Sequence, residues 1–129
     1  MASIFSRIIQ GELPCHKVYE DEHVFAFLDI NPIFVGHTLI VPKKEVDYFV
    51  DVPEPHYSAV FKAAKKIAPA LQDATGCKRV GLTVIGLEVP HFHLHVVPMW
   101  AAGDIDFRKS KKADPAELKA MQAELQKRI

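Results

Sequence analysis

Apolar positions along this chain recur with two periods. Over Ser3–Gln10, Ile4, Phe5, Ile8 and Ile9 have the spacing of a short helix face, and Gly11 ends the run. Val18–Glu20 reads as a short strand and Asp21–Glu22 as a turn. His23–Asp29, with Val24, Phe25, Phe27 and Leu28, and Thr38–Val41 read as two further strands joined through Asn31–Pro32 and Gly36. Pro42–Pro55 reads as a loop with one helical turn. His56–Ala74 reads as a helix: Val60, Ala64, Ile67, Ala68 and Leu71 share a face, Lys62, Lys65 and Lys66 lie largely outside it, and Gly76 supplies the stop. Pro69 predicts a kink or an early end, because proline removes one helical hydrogen bond and crowds the carbonyl four residues back. Arg79–Ile85 is a strand rich in Val, Leu and Thr, and Gly86–Pro90 turns the chain. A last helix spans about 114–128, with Asp114 as N-cap, Pro115 at its first position, Glu117 at its third, and Leu118, Met121 and Leu125 as a narrow apolar stripe. Short connections favour antiparallel pairing. The expected class is α+β: an antiparallel sheet of about five strands with a long helix and a C-terminal helix.

The fifth strand carries the chemistry. In His91-Phe92-His93-Leu94-His95-Val96-Val97-Pro98, three histidines alternate with apolar residues. Strand side chains alternate between faces, so the three imidazoles are expected on one face and Phe92, Leu94 and Val96 on the other.

Composition narrows the setting. A chain of 129 residues, 49% hydrophobic and 25% charged, is expected to form one domain, 1–129, of ordinary globular composition. Lys plus Arg and Asp plus Glu number 16 each, so formal net charge is zero. That balance argues against polymeric nucleic acid and membrane surfaces as partners, while leaving room for a small anionic ligand. Cys15 and Cys77 form no CxxC pair and read as free thiols. No apolar run reaches membrane-spanning length and no signal peptide opens the chain, so a cytoplasmic location is expected.

Two chemistries suit three same-face imidazoles. One is metal binding, since neutral imidazole is a common zinc ligand. Three consecutive same-face rings are hard to gather round one tetrahedral ion, and no nearby cysteine completes a site. The other is nucleophilic catalysis at phosphorus: one neutral imidazole attacks a phosphoryl centre, and its neighbours hydrogen-bond the oxygens as charge develops. The remaining alternative is three structural histidines with satisfied hydrogen bonds.

The run at 91–97 resembles the signature of the histidine triad (HIT) family, His-φ-His-φ-His-φ-φ with φ apolar, at every position. FSRIIQGELP (5–14), KVYED (17–21), AFLDINP (26–32) and GHTLIVPKK (36–44) match that family's N-terminal half in order and spacing, so the likeness covers residues 3–98. The resemblance implies a HIT-like fold, a Hint-like homodimer, and a nucleotide hydrolase or transferase acting at the α-phosphate of purine nucleotides. It implies His93 as the nucleophile, His95 at the α-phosphate, His91 ordering the imidazole network and His37 beside that network. It implies Asp29 on the ribose hydroxyls, where a carboxylate accepts from a vicinal diol. Ile4, Phe5, Ile8, Phe27, Leu28 and Ile30 correspond to the walls of the base pocket. No cofactor is implied and turnover needs no bound metal.

Two departures stand out. Many family members have a glutamine four residues before the first histidine and a hydroxyl residue next to it; here the positions hold Leu87 and Glu88. Leucine donates nothing and a carboxylate repels phosphate, which leaves a non-catalytic nucleotide-binding module as the alternative function. Some bacterial members hold structural zinc through an N-terminal CxxC and a histidine after Pro-Lys. Ser3, Ser6 and Glu45 stand at those places here, so no structural zinc is expected.

Overall fold

The computed structural model describes residues 2–129. Helix α1 (Ile4–Ile9) leads into strands β1 (Lys17–Glu20), β2 (Val24–Leu28) and β3 (Thr38–Pro42), then helix α2 (His56–Thr75), strands β4 (Arg79–Thr83) and β5 (Leu94–Met99), and helix α3 (Pro115–Arg128). The five strands form one antiparallel sheet in the order β1-β2-β3-β5-β4.

The two apolar strands lie at the sheet centre and are covered on both faces, which is why each reads as a continuous hydrophobic run. On one face Val24, Ala26, Leu28, Ile40, Phe92, Leu94 and Val96 pack against Val60, Ala64, Ile67 and Leu71 of α2 and against Leu118 and Leu125 of α3. On the other, Phe25, Phe27, Leu39 and Val41 pack with Phe5 of α1. The alternating registers of β2 and β3 deal their side chains to these two layers in turn.

Three expectations need correction. Helix α2 runs through Pro69 to Thr75 without ending. Pro69 is exposed while Ile67, Ala70 and Leu71 on either side are buried, so packing carries the helix past the missing hydrogen bond. The buried face of α2 is centred on Ala59, Val60, Ala63, Ala64, Ile67, Ala70 and Leu71, with Ala68 at its margin. The ladder of β5 begins at Leu94, so His91, in a bend, and His93 lie just before it. Pro98 is accommodated because β3 pairs only with 94–96, leaving Pro98 opposite Val80 of β4 alone.

At the C-terminal end, the Asp114 carboxylate accepts from the Ala116 amide at 2.8 Å and caps α3. Among the described residues no helix is long and apolar enough to cross a membrane.

Candidate active site

Four imidazoles meet on the sheet face opposite α2; main-chain groups bond His37, His91 and His93, and His37 in turn bonds His95. His37 is fully buried. Its Nδ1 lies 3.1 Å from the Ile33 amide, an obligate donor, so Nδ1 accepts and Nε2 carries the proton. That Nε2–H donates to His95 Nδ1 at 3.0 Å. His95 therefore carries its own proton on Nε2, which faces a cavity.

His91 and His93 are set by carbonyls. His91 Nε2 donates to the Pro42 carbonyl at 2.8 Å, and His93 Nδ1 donates to the His91 carbonyl at 2.8 Å. A carbonyl only accepts, so Nδ1 of His93 carries a proton, and in the neutral ring the lone pair is then on Nε2. The row thus sets Nε2 of His93 and, one ring away at 4.9 Å between centroids, a hydrogen-bond donor on His95 at the same cavity.

Burial favours the uncharged form of three of these rings, His37, His91 and His95. Desolvation, with the His93 ring as a secondary influence, pushes His37 down to about 4. Desolvation, reinforced by His37 and His93, pushes His95 down to about 3. Burial also lowers His91. Neutral rings have definite tautomers, and the hydrogen bonds above require them.

His93 and His95 line a cavity of about 380 Å³ shared with Asp29, Asn31, Ile85, Gly86, Leu87, Glu88, Phe107 and Ser110. Asp29 follows β2 directly. One of its oxygens accepts from the Asn31 amide at 2.9 Å; the other stands 3.8 Å from His37 Nε2, beyond hydrogen-bond reach, and is free to accept from a ligand. Asp29, His37 and His95 place potential ligand atoms within 4.8 Å of one another. Both His37 nitrogens and His95 Nδ1 are already engaged in hydrogen bonds, so a metal there would have to break the relay.

Of the residues expected to wall a base pocket, Phe5 and Phe27 pack edge-to-face at 5.5 Å in the layer beneath the histidines, with Ile8 against them. Ile4 and Ile30 are half-exposed. Leu28 requires correction: it is 1% exposed within the α2-facing core, because strand alternation sends it away from Phe27. Leu87 is fully displayed to solvent on the loop above the cavity, and Glu88 is exposed beside it.

Sequence reasoning missed Phe107 and Ser110. Phe107 sets its ring edge-on to His95 at 4.8 Å from a short 3₁₀ turn beyond the sheet. The only signal was an aromatic residue standing alone in a polar stretch. Trp100 packs edge-on against Phe34 at 5.2 Å and is half-exposed.

Imidazoles held by fixed hydrogen bonds along the floor of a cavity, with a carboxylate at its rim, on one face of an antiparallel sheet, are the features compared with known proteins. A family model described as the HIT domain matches residues 10–101. An uncharacterized HIT-like protein of Methanocaldococcus jannaschii is 41% identical over 122 residues, 89% of this chain and 94% of its own length. The adenosine 5'-monophosphoramidase HNT1 of Saccharomyces cerevisiae is 33% identical over 122 residues, 86% of this chain and 77% of its own length. A crystal structure of a Hit-like protein involved in cell-cycle regulation from Bartonella henselae matches with a TM-score of 0.87 at 29% identity, over 98% of this chain and 96% of that one. The chain belongs to the HIT family.

Proposed function

We propose that the protein is a nucleotide hydrolase or transferase that acts at the α-phosphate of purine nucleotides through a nucleotidyl-His93 intermediate. The observation that carries this reading is the proton arrangement of the row: a lone pair on His93 Nε2 beside a proton on His95 Nε2, both at one cavity. His93 Nε2 attacks phosphorus, a nitrogen–phosphorus bond forms, and the bond to the leaving group breaks as that group takes a proton from solvent water, a proton returned when water hydrolyses the intermediate. The resulting imidazolium keeps its Nδ1–H on the His91 carbonyl, which stabilises the positive charge. His95 donates to a non-bridging oxygen as negative charge develops there. Water then attacks phosphorus, releasing the nucleoside monophosphate and returning His93 to its neutral form. Asp29 holds sugar hydroxyls with its free oxygen, and the Phe5–Phe27 layer with Ile8 backs the base. Leaving groups in this reading are an amine, a phosphate or another group on the α-phosphate; an amine is favoured by the likeness to HNT1. A homodimer joined through the open edge at β4 belongs to the same proposal, and sedimentation analysis tests it.

The test is mass spectrometry of the protein briefly mixed with an adenosine phosphoramidate and quenched without acid. A gain of one AMP on the wild type, lost in His93→Ala, supports the mechanism. No adduct and no AMP release, with AMP still bound, favours the second reading, a non-catalytic nucleotide-binding module. The exposed Leu87 and the Glu88 carboxylate at the cavity rim are what speak for it.

A further inference from the structure

Ser3 precedes α1 and is almost buried. Its Oγ accepts from the Ser6 amide at 3.0 Å, the ordinary work of a helix cap. The same oxygen lies 2.7 Å from His91 Nδ1. His91 Nε2 already carries its proton toward the Pro42 carbonyl, so Nδ1 presents a lone pair and the Ser3 hydroxyl is its donor. Glu45 holds the serine in place. Its Oε1 accepts from the Ser3 amide at 2.7 Å and from the Ser6 hydroxyl at 2.6 Å.

The consequences reach His93 by two routes. The His91 main-chain carbonyl aims the His93 ring. Phe5, two residues after Ser3, sets its edge against His93 at 4.9 Å and His91 at 5.9 Å. A cap needs only an acceptor for the Ser6 amide, and aspartate or asparagine would serve. Donation into a wholly buried imidazole is a separate demand, and a hydroxyl meets both.

We propose that Ser3, held by Glu45, is a positioning residue for the reaction: its hydroxyl proton locks the His91 ring and, through it, the carbonyl that aims His93. This rests on reading His93 as the nucleophile.

Three variants separate capping from positioning. Ser3→Thr keeps acceptor and donor. Ser3→Asp keeps the cap but, as a carboxylate, has no proton to give. Ser3→Ala loses both. Nitrogen–proton correlation spectra of the wild-type imidazoles should show His91 protonated at Nε2 and bare at Nδ1; in Ser3→Asp both nitrogens should be protonated. With an adenosine phosphoramidate, Ser3→Thr should stay within about twofold of wild-type kcat, while Ser3→Asp should lose about tenfold or more with KM changed less than about threefold. Wild-type His91 carrying its proton on Nδ1, or Ser3→Asp turning over at the wild-type rate, overturns the proposal and leaves Ser3 a cap. If Ser3→Ala fails to fold, the Thr and Asp variants still decide. Failure of the wild type to form an adduct counts against the proposed function and does not alter the His91 spectrum; an unimpaired Ser3→Asp enzyme counts against this inference alone.

Discussion

His37 lies behind the reacting groups, and its replacement tests the tautomer relay most directly. In His37→Ala, the Ile33 amide and His95 Nδ1 both lose their partner inside the protein. Leaving a buried polar group unpaired costs about 1–3 kcal/mol, so two give roughly 2–6 kcal/mol before any cavity is counted. For a chain of this size that is a fall in Tm on the order of 10 °C. The chemical loss is separate. With no donor at Nδ1, His95 is free to move its proton there and turn a lone pair toward the phosphate. Losing one such donor costs about 10²–10³ in kcat. His37→Gln is the control, because its amide oxygen can accept from Ile33 and its amide nitrogen can donate to His95. We expect the Gln variant to retain the His95 proton on Nε2 and kcat within about tenfold of wild type. Urea titration gives stability, initial rates of AMP release give kcat, and imidazole spectra give the tautomer. Equal kcat losses in the Ala and Gln variants, or none in Ala, would refute the argument that His37 sets the proton on His95.

Acid should destabilise the protein before its carboxylates titrate. His37 and His95 are depressed to about 4 and about 3, below the unfolded value near 6.5, so the unfolded chain binds more protons between those limits. Their contribution is complete above about pH 6.5 and declines as pH falls toward 4 and then 3; for His37 alone the drop from 6.5 to about 4 corresponds to about 3 kcal/mol. Urea midpoints from pH 7.5 to 5, about a unit above ordinary carboxylate values, should fall for the wild type and less steeply for His37→Gln; a midpoint that rises toward pH 5 contradicts this. Asp29→Ala should lower kcat/KM about 10–100-fold for a ribonucleotide and far less for its deoxyribose counterpart, and equal losses on both would remove Asp29 from the sugar. Gly36→Ala should cost at least about 1–3 kcal/mol by thermal melting. Gly36 has φ +112°, and an added Cβ would stand 2.9 Å from Leu71 Cδ1; an unchanged melt would show that the turn before His37 tolerates a side chain.

Much of the fold was legible because it rests on local rules. Period-two and helical spacing marked the five strands and three helices, Asp114 caps as its position suggests, and the HIT signature at 91–97 declares the family. Helix α2 passing Pro69 was not legible, since burial on both sides of that residue is a tertiary matter. Nor was the placement of Leu28: its likeness to a pocket residue said nothing of which sheet layer would receive it.

The sequence by itself determined the α+β class, the family and the side chains available for chemistry, because hydrophobic period and motif spacing are properties of the chain. Only the tertiary structure decided which nitrogen of each histidine carries a proton. That choice belongs to groups the folded chain brings to each ring: the turn amide of Ile33 beside His37, and, far off in sequence, the Pro42 carbonyl beside His91 with the Ser3 hydroxyl on its other edge. It decided too that Phe107, contributed from beyond the sheet, closes on His95. An imidazole is nucleophile or donor according to its neighbours, and the neighbours 49 and 88 residues from His91 in the chain exist only once it has folded.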